Sequence, residues 1–315
     1  MGLRKQFFSV MQPNDFAFQD IGLERAEPLR SHPERLDQLW NAANVLVLNE
    51  QGEACSFGAN QYFYPAHKVS LQRPEQATFL GVHLEQSYFA MPLEIVQKSV
   101  VETINIRAAA GIWSSLNSSI FAQAKALLYW QSQSKFCGRC GALLSIKTAG
   151  YSAVCQSCGL ITYPQTHPAV IMSVSDGQRI LLGRQAAWPE KRWSVLAGFV
   201  EPGESPEQTV VREVWEEAGV KVEKVAYVKS QPWPMPMALM IGFRAYAPFQ
   251  EITISEELQA AQWYFAEELQ ALVKQGELEL PAQMSISRYL IEDWLHQSTE
   301  SSDFWHTKGQ KEIQS

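Results

Sequence analysis

Apolar residues in the first third of the chain recur in short runs, VLVL at 45–48 and ATFLGV at 77–82, set apart by Gly, Pro and Asn. Runs of this length, rich in β-branched and aromatic side chains and bounded by turn formers, predict strands. Helical stretches are expected around 92–110 and 121–130. After Pro164 the pattern changes. AVIMSV at 169–174 predicts a strand, Asp176-Gly177 a hairpin turn, and 179–182 the start of the returning strand. Further strands are expected near 222–228, near 237–246 and around Trp263, with helices near 206–218, 266–274 and 285–297. Strands interleaved with helices indicate mixed α and β structure, α+β or α/β. The expected organisation is an N-terminal mixed α/β domain (1–132), a compact two-knuckle segment (133–165), a larger α/β domain (166–298) and a polar, flexible tail (299–315).

The helix expected at 206–218 has a defined start and stop. Ser205 suits the N-cap, Pro206 the first helical position and Gln208 the reciprocal half of a capping box, while Gly219 suits a left-handed C-cap. Val210, Val214 and Ala218 share one apolar stripe, and Glu213, Glu216 and Glu217 form a row beside it. Like charges at such spacing repel by roughly 0.2–0.5 kcal/mol per pair. A cation in front of the row would relieve that. Oxygen-rich clusters suit Mg²⁺ or Mn²⁺, to which phosphate oxygens also bind. The loop at 198–204 could bring Glu204 and backbone carbonyls to the same place, and Arg212 can pair with Glu204 or Glu216. An ordinary charged helix facing water is the alternative.

Length and composition leave room for two domains of an ordinary globular protein: 315 residues, 46% hydrophobic and 19% charged. The net charge of −7 gives no general attraction to nucleic acid, so such a substrate would need a local basic patch or recognition at one end. No run of about 18 apolar residues is present, so no membrane span is expected. The N-terminal stretch lacks the apolar core of a signal peptide, which leaves a cytoplasmic reading. Cys55 stands alone as a small buried apolar residue, and His32, His67 and His83 are isolated and structural. The remaining cysteines form Cys137-x2-Cys140 and, fourteen residues on, Cys155-x2-Cys158. Four thiolates at this spacing predict a closed, structural zinc site, with a redox pair as the alternative.

Gly198, five residues, Glu204, seven residues and then Arg212-Glu213-Val214-Trp215-Glu216-Glu217-Ala218-Gly219-Val220 match every fixed position of the signature GX5EX7REUXEEXGU. The chain therefore resembles the Nudix hydrolases. The stretch Ser230-Gln231-Pro232-Trp233-Pro234-Met235-Pro236-Met237-Ala238-Leu239-Met240 is similar to the motif that marks NADH pyrophosphatases within that family, with Met235 in place of the usual Phe and Ala238 in place of the usual Ser. A zinc ribbon preceding the Nudix domain resembles the same group, whose members are also described as NAD-capped RNA hydrolases.

The resemblance implies a Nudix α/β/α sandwich preceded by the four-cysteine ribbon. It implies catalytic Mg²⁺ or Mn²⁺ on Glu213, Glu216 and Glu217, on the Ala197 carbonyl and on Glu257. It implies base contacts from Phe199 and Tyr163, the latter supplied by the second subunit of a homodimer, a nucleotide-binding loop from Gln231 to Ala238, and a further substrate contact at Ser287. One family acid falls on Gly150 and is missing. The activity implied is hydrolysis of NADH or NAD⁺ to nicotinamide mononucleotide and AMP. Alternatives are removal of NAD caps from RNA, hydrolysis of another nucleoside diphosphate derivative such as ADP-ribose, a non-catalytic nucleotide binder, and a zinc-ribbon interaction protein.

Overall fold

A computed structural model describes residues 16–58, 61–96 and 98–299. The chain divides into two units, residues 1–167 with 232–239 and residues 168–231 with 240–315. The tail expected beyond 299 lies outside the described residues.

The first unit is built on a mixed sheet. Strand β1 (Asn44–Leu48) pairs antiparallel with β2 (Ala54–Ser56) and β3 (Phe63–Pro65), while β4 (Thr78–His83) and β5 (Gln86–Pro92) form a hairpin whose second strand runs parallel to β1. Strand β6 (Glu102–Ile104) closes the order β4-β5-β1-β2-β6. Both faces are covered, which explains why β1 is apolar at consecutive positions rather than alternating. On one face Val45, Val47, Phe79, Phe89 and Met91 pack with Leu36 and Trp40 of helix α1 (Pro33–Trp40). After the single turn α2 (Ala66–Val69) and the short α3 (Ile106–Ile112) comes the long α4 (Ser115–Gln133). Its Gln123 amide donates to the Leu80 carbonyl (2.8 Å), and its Lys125 Nζ donates to the carbonyls of Gln51 and Gly52 (3.2 and 3.0 Å).

The helix expected at 92–110 is not formed. Its span holds the end of β5, a 3-10 turn at Leu93–Ile95, strand β6 and only the first turns of α3. The β-branched residues Val100, Val101 and Thr103 favour extended backbone, and Asn105 starts the helix later by accepting the Ala108 N–H at 2.9 Å. Helix α4 begins before the expected 121 because the Ser114 hydroxyl caps it, accepting the Asn117 N–H at 3.2 Å.

Helix α4 leads into a three-stranded antiparallel ribbon, β7 (Leu144–Lys147), β8 (Ser152–Cys155) and β9 (Ile161–Thr162). Its inner face, Leu144, Ile146 and Ala153, packs on Trp130 of α4 and on Met237 of the 232–239 segment.

In the second unit the sheet order is β13-β14-β10-β11-β15, with β12 also on β10. These strands are β10 (His167–Ser175), β11 (Arg179–Arg184), β12 (Leu196–Phe199), β13 (Lys224–Trp233), β14 (Ala238–Tyr246) and β15 (Ala260–Phe265). Helix α5 (Pro206–Ala218) lays Val210, Val214 and Ala218 on Val170, Met172, Val174, Leu196 and Phe243. Each of these side chains other than Ala218 contributes roughly 1.5–3 kcal/mol when taken out of water. Helices α6 (Ala266–Gln275) and α7 (Ile286–Thr299) follow. The Trp294 indole of α7 donates to Ser175 Oγ at 2.9 Å, on the face of β10 opposite α5. The unit is the helix–sheet–helix sandwich expected.

Candidate active site and zinc ribbon

The helix that carries the glutamates starts and stops where its sequence dictates. Ser205 Oγ accepts the Gln208 N–H (3.2 Å), and the Gln208 side chain accepts the Ser205 N–H (2.8 Å). Gly219 ends the helix at φ 66°, a left-handed conformation that favours glycine.

Because 213, 216 and 217 sit at different angles to the buried stripe, the three carboxylates step from core to solvent. The Glu216 side chain is half exposed, that of Glu213 mostly buried, and Glu217 is 4% exposed. Arg212 holds the outer part together. Its guanidinium grips Glu204 with two bonds (2.7 and 2.9 Å) and donates to Glu213 Oε1 (2.9 Å), Glu216 Oε2 (2.8 Å) and the Phe199 carbonyl (3.0 Å). That fork, with Thr209 Oγ1 also donating to Glu204 (2.9 Å), holds the Glu204 carboxyl down to about 2. Thr209 was not singled out from the sequence, though its place four residues after the N-cap was a usable signal. Glu204 and Arg212 therefore orient the row rather than compete for it.

Among the described residues no cationic side chain pairs with Glu217, the innermost of the three. Glu217 Oε2 has no hydrogen-bond partner among the described residues. Burial first, then the charges of Glu213 and Glu257, push its carboxyl up to about 8. Burial likewise raises Glu213. The loop at 253–257 is brought alongside by Ser255 and Thr253, whose N–H groups donate to the carbonyls of Glu217 (3.2 Å) and Ala218 (2.9 Å), so Glu257 acts on both carboxylates. Gly198 leaves the room this requires: a Cβ there would lie 1.8 Å from Glu213 Cδ. Ala197, beside it on β12, is paired with Ile171 of β10. Crowded carboxylates with an unpartnered buried oxygen fit a divalent metal, for which the donor set is all oxygen.

The other site residues fall into separate groups. Phe199 ends β12 with its ring 62% exposed. Gln231 is fully buried: its amide donates to the Met284 carbonyl and accepts the Ile286 N–H, both at 2.8 Å. Ser287 is buried one position further on, sharing a hydrogen bond with Ser285. Gln231 thereby holds β13 to the start of α7, while Ser287 bonds within that start. Pro232, Trp233, Pro234, Met235, Pro236, Met237 and Ala238 belong to the first unit, as does Tyr163, which is 62% exposed. Met237 sits in the ribbon core, and Met235 Sδ lies 3.2 Å from Nε of Arg107, a neighbour the sequence did not suggest.

The four cysteine sulfurs lie within 4.8 Å of one another. Backbone N–H groups aim at them, from Arg139 to Cys137 Sγ and from Cys158 to Cys155 Sγ, each at 3.4 Å. They lower the Cys137 thiol and hold that of Cys155 down to about 6. Against a backbone N–H from Leu160, burial and the neighbouring cysteines push the Cys158 thiol the other way, up to about 11. Four sulfurs gathered at this spacing, two of them held low, fit a structural zinc.

Comparison with known proteins agrees with both centres. A profile described as "NUDIX domain" matches residues 165–284, and one described as "NADH pyrophosphatase zinc ribbon domain" matches 132–163. Over 291 residues the chain is 34% identical to a protein of Mycobacterium bovis named NAD-capped RNA hydrolase NudC, covering 87% of this chain and 93% of that one. It is 41% identical over 192 residues to the NAD-capped RNA hydrolase NUDT12 of Macaca fascicularis, covering 56% of this chain and 42% of that one.

Proposed function

The chain belongs to the Nudix hydrolases that carry an NADH pyrophosphatase zinc ribbon, and from that membership we propose that it hydrolyses the diphosphate of NADH and NAD⁺. The dinucleotide is a substrate both free and as the 5′ cap of RNA, because the bond broken is the same. The products are nicotinamide mononucleotide and AMP, the latter at the RNA 5′ end when the substrate is a cap. The observation that carries the reading is Glu217, buried with an unpartnered oxygen beside Glu213 and Glu257.

Glu213, Glu216, Glu217, Glu257 and the Ala197 carbonyl would hold Mg²⁺ or Mn²⁺. Bound there, such ions supply charge neutralisation for the diphosphate and acidify an attacking water. Arg212 holds Glu213 and Glu216 in place while Glu204 fixes Arg212. A carboxylate of this group accepts the proton of the attacking water. Exposed Phe199 and Tyr163 offer faces for the rings, and the rigid segment from Pro232 to Pro236 presents Trp233. The protein acts as a homodimer in the cytoplasm, with structural zinc on Cys137, Cys140, Cys155 and Cys158.

The test is a hydrolysis screen over NADH, NAD⁺, ADP-ribose, diadenosine polyphosphates and NAD-capped RNA, with and without Mg²⁺ or Mn²⁺. Metal-dependent release of AMP from NADH as the preferred free-nucleotide reaction is expected. Preference for ADP-ribose would overturn the substrate. Glu217→Gln should lower turnover by at least ~10³-fold while the variant stays folded, and wild-type turnover in it would remove the carboxylate mechanism.

A further inference from the structure

From Thr103 to Ser175 the sequence contains no Asp or Glu, yet it holds Arg107, Lys125, Lys135, Arg139 and Lys147. In a chain where acids outnumber bases 33 to 26, that is a marked segregation of charge. Some of these cations are engaged within the first unit. Lys125 holds two carbonyls, Lys147 pairs with Glu75 at 3.4 Å, and Arg107 lies against Met235. Lys135 and Arg139 are exposed and have no acidic partner among the described residues. Both lie within three residues of Phe136, where the zinc ribbon begins.

The register of the ribbon defines its outer face. Phe136 is opposite Leu143, Val154 is opposite Ser145 on one side and Ile161 on the other, and Tyr163 follows Ile161 by two positions. With Leu144, Ile146 and Ala153 turned to the core, these residues point to water. Phe136 is 65% exposed, Leu143 55%, Ile161 49% and Tyr163 62%. Single exposed apolar residues are ordinary, but four on one face of a three-stranded sheet form a patch. Two of the four are aromatic, and the charges nearest Phe136 and Leu143 along the chain are cationic. Aromatic faces bordered by free cations are what single-stranded nucleic acid requires, with bases on the rings and phosphates on the cations. An apolar partner protein would account for the patch but not for the exclusion of every acid from the stretch around it.

We propose that the outer face of the zinc ribbon binds the single-stranded RNA that follows the dinucleotide cap, with Phe136 as a stacking platform and Lys135 and Arg139 on the phosphates. This rests on the reading that capped RNA is a substrate. A zinc-loaded tetrathiolate is itself anionic, so the attraction comes from the flanking cations and the rings.

The experiment compares kcat/KM for free NADH and for an NAD-capped single-stranded oligoribonucleotide, using the full-length, zinc-loaded protein and the variants Lys135→Glu/Arg139→Glu and Phe136→Ala. Zinc content and sedimentation mass are checked in each. The double variant should lose about tenfold or more on capped RNA and less than about twofold on NADH, with the salt dependence shallower by about two in log–log slope. Phe136→Ala should lose about fivefold or more on capped RNA alone. Variants that match wild type on capped RNA overturn the surface while leaving the proposed function intact. Loss on both substrates with a change of mass also overturns it, and assigns the face to contact between two copies. A wild-type protein that cleaves NADH but not capped RNA removes the capped-RNA reading and the surface with it.

Discussion

Burial of Glu217 ties the stability of the protein to metal and to pH. Its carboxyl is raised from 4.5 to about 8 by desolvation, with Glu213 and Glu257 adding to the shift. Below 4.5 the group is protonated in both folded and unfolded chains. Between that value and about 8 the unfolded chain has released a proton that the folded chain retains, so rising pH favours unfolding. Protein freed of Mg²⁺ and Mn²⁺ but retaining zinc should therefore melt at progressively lower temperature from about pH 5 to pH 8. Added Mg²⁺ should restore the loss, and Glu217→Gln should flatten the profile. A flat profile in the wild-type protein would contradict the assignment. Gly198 makes a second case at the same site. Gly198→Ala would put a Cβ 1.8 Å from Glu213 Cδ. The carboxylate would have to move, and a displacement of about 1 Å costs on the order of 100-fold in kcat/KM, measurable beside a circular dichroism spectrum that shows the fold intact.

Helix α5 shows what local sequence can specify. Its cap residues Ser205, Gln208 and Gly219 act through neighbours three or four positions away, so its ends were readable to the residue. The gathering of Glu204, Arg212 and the glutamates was readable for the same reason. What was not readable was the gradient of burial across Glu216, Glu213 and Glu217, which depends on the sheet beneath them. The stretch 92–110 misled because its apolar content is shared between strand and helix, and the choice rests on β2, to which β6 pairs. Strand β13 was expected to end near 228 but runs to Trp233. Gln231 contributes to this by bonding to Met284 and Ile286, more than fifty residues away in the chain. Gln231→Ala would leave the half-buried Met284 carbonyl and the buried Ile286 N–H unpartnered, at about 1–3 kcal/mol each and so about 2–6 kcal/mol together. Urea denaturation should show a loss in that range, and unchanged stability would show that the clamp is dispensable.

The ribbon and the second unit differ in how their cores are closed. The second has an extended apolar core between sheet and α5. The ribbon's core is small, Trp130, Ala153 and Met237 with Leu144 and Ile146 against them, and a metal centre must supply much of its stability. Met237→Ala should cost about 2–5 kcal/mol in the first unit, the usual range for a buried methionine truncated to alanine. It should also speed zinc release to a chelator, read with a chromogenic dye. Release at the wild-type rate would separate the metal site from that core.

The residue that fills this core lies far along the chain, after the helix of glutamates, in the segment 232–239 that belongs to the first unit. No single cut divides such a chain into two complete pieces. A ribbon taken without the hydrolase domain would lack Met237, because that methionine is encoded inside the hydrolase. Part of the ribbon's core is therefore specified by sequence that lies within the span of the hydrolase domain.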